Sequence, residues 1–84
     1  MSQNIAETQA QVRLIRHEMG RHNVDCGEVQ ISISHGVVHL YGRIRPLPGH
    51  EAHFDAEIIS LIKAMLHRPG IRDVVPEWTK VVPN

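Results

Sequence analysis

The chain predicts a small α+β domain with element order α-β-β-α-β, and three observations carry that prediction. Its 84 residues, 42% of them apolar, suffice for one hydrophobic core and not for two. The segment Val29-Gln30-Ile31-Ser32-Ile33-Ser34 alternates apolar and polar residues strictly, and His35-Gly36 then separates it from a second β-rich run. Apolar residues recur at helical spacing on both sides of this hairpin pattern.

Asn4, followed three residues later by Glu7, forms a candidate capping box for a first helix over about residues 5 to 21. Ile5, Val12, Ile15 and Met19 supply its apolar stripe, and Gly20 and Asn23 help to end it. A two-residue turn at His35-Gly36 sets Ser34 opposite Val37, Ile33 opposite Val38, Ser32 opposite His39 and Ile31 opposite Leu40. This register puts Ile31, Ile33, Val38 and Leu40 on one face. The other face carries Gln30, Ser32, Ser34, Val37, His39, Tyr41 and Arg43. Gly42 falls on the packed face, where the missing side chain is expected to let a helix approach closely.

Arg45-Pro46-Leu47-Pro48-Gly49 is incompatible with a helix interior and serves as the connection. From about Gly49 to His67 a second helix is expected, with Phe54, Ile58, Leu61, Ile62 and Met65 on one stripe and Pro69-Gly70 beyond its end. A third strand is predicted over about residues 73 to 81, where Pro76 argues for an edge position or a bulge. A helix linking strands two and three makes them parallel. Leaving room for the first strand between them predicts a three-stranded mixed sheet of order 2-1-3, with both helices on one face. The expectation is one domain over residues 1–84, with its core at about residues 5 to 81.

Composition narrows the function classes. Nine Lys and Arg against nine Asp and Glu leave no net charge, so the basic excess of a nucleic-acid-binding domain is missing and no nucleic-acid partner is expected. Cys26 has no second cysteine to pair with, which excludes an internal disulfide and a Cys-x-x-Cys motif. The apolar runs fall far short of the ~20 residues of a membrane helix, and the N-terminus has no secretory pattern. As written, the chain is expected in the cytoplasm; excised from an exported protein, it would be periplasmic or membrane-associated.

Seven histidines stand against one Trp, one Tyr and one Phe. His50, His53 and Glu57, at i, i+3 and i+7 of the second helix, would share a flank that could hold a zinc-type divalent cation. The bland alternative is a set of solvated polar residues at a helix start, where acidic side chains also suit the dipole. His17-Glu18 with His22 has the wrong spacing for a zinc-protease motif, and His35 is a turn residue. Cys26 near His22 lacks an orienting third group. With no nucleophile elbow, P-loop or dinucleotide fingerprint present, the chain is expected not to be an enzyme and to need no cofactor. Tyr41 and Arg43 beside His39 offer one aromatic where RNA-stacking sheets use two or three.

The pattern Val29-x-Ile31-x-Ile33-x-x-Gly36-Val37-Val38-x-Leu40-x-Gly42-Arg43-Ile44, followed by Pro69-Gly70-Ile71-Arg72-Asp73-Val74-Val75, resembles the bacterial BON domain of osmotic-stress and nodulation proteins. The glycines carry the resemblance: Gly36 at the hairpin turn, Gly42 after the Val-x-Leu stretch, and Gly70 ahead of the last strand. It implies an α-β-β-α-β module that binds or attaches, to phospholipid or to a partner protein, without catalytic residues. His39, Tyr41 and Arg43 are then the candidate contacts on the open sheet face. A second resemblance, on Arg45-Pro46-Leu47-x-x-x-Glu51-Ala52-His53 and Val74-Val75, is to the cytoplasmic domain of cation-diffusion transporters. It implies a metal-responsive dimeric module, with His53 at a characteristic position. Ile59 and Leu66, at the edge of the second-helix stripe, are candidates for a homodimer contact.

Overall fold

A two-residue turn with both residues at positive φ, His35 at 52° and Gly36 at 79°, joins the two long strands of the domain. That geometry follows the right-handed twist of the strands it connects. In the computed structural model, which describes residues 5–82, the elements are α1 (Ile5–Gly20), β1 (Val24–Ser34), β2 (Val37–Pro46), a 3-10 turn (Glu51–His53), α2 (Phe54–Leu66), β3 (Asp73–Pro76) and β4 (Thr79–Lys80). The Asn4 side of the expected capping box lies outside the described residues.

The antiparallel register of β1 and β2 is the one the alternation predicts, Ser34↔Val37, Ile33↔Val38, Ser32↔His39 and Ile31↔Leu40. β1 starts earlier than its alternation suggests, at Val24, because a bulge between Asp25 and Glu28 inserts one extra residue. An extra residue reverses side-chain parity, so even-numbered Val24 and odd-numbered Val29 and Ile33 all reach the same core. Local polar contacts hold the bulge. Asp25 Oδ1 accepts from the Gly27 N–H at 2.9 Å, while the Arg16 guanidinium of α1 donates to the carbonyls of Cys26 (3.0 Å) and Val29.

The strand order is β1-β2-β3, with β4 also beside β2, which corrects the expected order 2-1-3. The expected parallel pairing of the second and third strands is present: Val37 to Leu40 run beside Asp73 to Pro76. β2 is the central strand, and its inward row, Val38, Leu40 and Ile44, is fully buried. The tight turn commits one side of β2 to β1, and the α2 crossover returns the chain to the other. The expected last strand is split. Pro76 has no N–H to donate, and pairing with β2 resumes at Thr79 and Lys80 in the same register.

Gly42 also differs in its reason. Its φ is +88°, and a β-carbon there would stand 2.1 Å from the Glu28 carbonyl oxygen of β1. The missing side chain admits the neighbouring strand's backbone at the bulge, rather than a helix. At the hairpin tip a β-carbon on Gly36 would meet the Gly70 carbonyl oxygen at 2.7 Å, tying the turn to the entry of β3.

Both helices cover one face of the sheet. Ile15 and Met19 of α1 and Phe54, Ile58, Leu61 and Met65 of α2 close the core against Val29, Ile33, Val38, Leu40, Ile44, Ile71 and Val74. Each such side chain contributes about 1.5–3 kcal/mol when fully buried. Among the described residues no helix is long and apolar enough to cross a membrane.

Candidate functional site

The sheet face turned away from the helices carries the residues that the alternation places there. His39 lies on the central strand, paired with Ser32 of β1 on one side and Val75 of β3 on the other. Two residues further on, Tyr41 points the same way, and the two rings stack with centroids 6.2 Å apart and planes 9° apart. Tyr41 is exposed, His39 half-buried, and the His39 Nδ1 atom is buried with no hydrogen-bond partner. Arg43 is exposed and, among the described residues, forms no ion pair, although it stands directly opposite Glu28. Glu28 is taken instead by Arg45, through Nη2 at 2.7 Å and Nε at 2.8 Å. The face therefore presents a stacked imidazole–phenol pair and one free guanidinium in a row along β2.

The histidines do not converge on a metal. His50 precedes the 3-10 turn and His53 ends it, both ahead of α2, so the helix expected from Gly49 begins at Phe54 and the assumed helical spacing to Glu57 is absent. The Glu57 carboxylate is engaged elsewhere. Asn23 donates to it through Nδ2 (3.1 Å) and its backbone N–H (3.4 Å), and His22 Nδ1 lies 3.6 Å away. No group of three or more His, Cys, Asp or Glu side chains gathers for a metal ion among the described residues.

A polar cluster that spacing does not reveal links the two helices. Glu18, 8% exposed, sits inside the apolar stripe of α1 and is the buried charged residue of the core. Arg68 Nη2 binds its Oε1 at 2.7 Å, and His22 Nε2 lies 3.1 Å from its Oε2. Burial alone would raise the Glu18 carboxyl. The hydrogen bonds from Arg68 and His22, with the charges of Arg68 and Arg21, outweigh it and hold the group below its ordinary value. Glu57 is likewise lowered, chiefly by Asn23. The sequence clue was Glu18 itself, one helical turn from Ile15 on a buried flank; its partner lies fifty residues away.

Cys26 is half-buried at the bulge, and burial pushes its thiol up to about 11 despite the nearby Arg16. Such a thiol is a poor nucleophile. Native protein at pH 8 should react with iodoacetamide roughly a hundredfold more slowly than urea-unfolded protein, a ratio that follows from the thiolate fractions. Equal rates would disprove the buried, protonated state.

The grooves are open. One of about 340 Å³ lies beside Glu18, Arg21, His67 and Arg68, and one of about 320 Å³ beside Arg45, Pro46, Pro48, Glu51 and Val81. Ile59 and Leu66 lie exposed on α2. Comparison with known proteins returns no match: no family model, no curated protein and no solved structure resembles the chain closely enough to place it.

Proposed function

We propose that this chain is a non-catalytic binding or attachment module of the BON type, whose ligand surface is the open sheet face at His39, Tyr41 and Arg43. One observation carries the reading: both helices pack on one side of the sheet, leaving the stacked His39–Tyr41 pair and the unpaired Arg43 on the other. The element order and the positive φ of Gly36, Gly42 and Gly70 support the family resemblance. The ligand is a phospholipid surface or a partner protein, and a pH comparison separates them. The chain carries seven histidines on a formal charge of zero, and histidine is the residue type that gains charge between about pH 8 and 5.

Co-sedimentation with vesicles containing anionic phosphatidylglycerol is therefore expected to be weak at pH 7.5 and several-fold stronger at pH 5.5. The Tyr41→Ala/Arg43→Ala double variant should lose most of the gain. Sedimentation that is absent or equal at both pH values removes the lipid and leaves the protein partner. Gain that survives the double variant removes this face.

A further inference from the structure

Among the described residues β1 pairs with β2 on one side only, so its other side is a sheet edge. The Val29 carbonyl bound by Arg16 points out of the sheet there. Backbone polar groups alternate along a strand, so the N–H and C=O of Ile31 and Ile33 point outward as well. Among the described residues no side chain hydrogen-bonds to them. Edges of this length are usually blunted by lysine, proline or a covering loop, yet Val29 to Ser34 contains no charge and no proline.

The segment is also complementary to itself. In an antiparallel pair centred on Ser32, Ile31 faces Ile33 of the second copy on the packed side, and Gln30 faces Ser34 on the open side. The outward groups of Ile31 and Ile33 then hydrogen-bond reciprocally, while Arg16 keeps its place on Val29. Charge does not oppose the pairing. At the start of β1, Glu28 is bound by Arg45, which also stands opposite Asp25. At the hairpin tip Arg72, whose Nε donates to the His35 carbonyl at 3.0 Å, is followed by Asp73.

We propose that β1 is a dimerisation edge: a second copy of this chain adds antiparallel through Ile31–Ile33 about a two-fold axis at Ser32. The joined sheets double the width of the open face, whatever ligand that face takes. In a Cys26→Ser background, Ser32→Cys places two thiols at a non-hydrogen-bonded position whose Cα atoms stand about 4.5 Å apart, within disulfide reach. It should cross-link on mild oxidation about tenfold faster than Ser34→Cys, which faces Gln30 instead. The unmodified chain should approach twice its 9.5 kDa mass on sedimentation at high concentration. Ser32→Lys, at an exposed position, should keep its circular dichroism and weaken the dimer about tenfold. A monomer at every concentration overturns the proposal. So does equal cross-linking at both positions, or a dimer indifferent to Ser32→Lys, which would place the contact elsewhere, such as Ile59 and Leu66 of α2.

Discussion

Gly42→Ala is expected to lower the melting temperature by roughly 12–24 °C, corresponding to about 3 kcal/mol in a domain of this size. Two costs add. A residue with a β-carbon at φ +88° is strained, and the new carbon would stand 2.1 Å from a backbone carbonyl oxygen that no rotamer change can move. Relief requires β1 and β2 to separate at the bulge, where Arg16 and Asp25 hold the chain. Gly49 offers a matched control: its φ is also +88°, yet nothing lies within 4 Å of its would-be β-carbon. Gly49→Ala should therefore cost only about 1 kcal/mol. Thermal melts of the two variants separate backbone conformation from close approach, and equal losses would show that the approach of Glu28 does not matter.

Arg68→Ala should be the most damaging change among the charged residues, at about 2 kcal/mol. It leaves the Glu18 carboxylate buried with His22 as its remaining close side-chain partner. The value is set below that of a fully buried pair because the Arg68 side chain is 27% exposed. The same cluster governs the acid limb of stability. Glu18 and Glu57 titrate below their ordinary 4.5 when folded. Their contribution is therefore fully present above the unfolded value and is lost as pH falls through the folded ones. Glu18→Gln should unfold with a shallower dependence on pH below about 4.5 than the unmodified chain, measured by urea denaturation between neutral and acid pH. An unchanged acid limb would mean that Glu18 is not ionised in the core.

Much of the architecture is legible in local patterns. The hairpin register follows from alternation around His35-Gly36, since a one-residue slip would turn Ile31, Ile33, Val38 and Leu40 out of the core. The bulge left a trace too, in the change of apolar parity between Val24 and Val29, although alternation alone suggests a strand beginning at Val29. The start of α2 was harder to see, because His50, Glu51 and His53 fit a helical spacing that the 3-10 turn does not keep. The open face at His39, Tyr41 and Arg43 was readable as a row; its stacked rings and its unpaired guanidinium were not.

By itself, then, the sequence determined what depends on neighbours: element order, the turn, the hairpin register, and which side chains face the helices. Those properties repeat every two or every 3.6 residues and leave a periodic record in the chain. Only the tertiary structure decided that β2 is central, that Gly42 receives a backbone carbonyl, and that Glu18 joins Arg68 while Glu57 joins Asn23. The reason is physical: these contacts unite residues fifty and thirty-four positions apart, chosen by packing in three dimensions, and no local period encodes them.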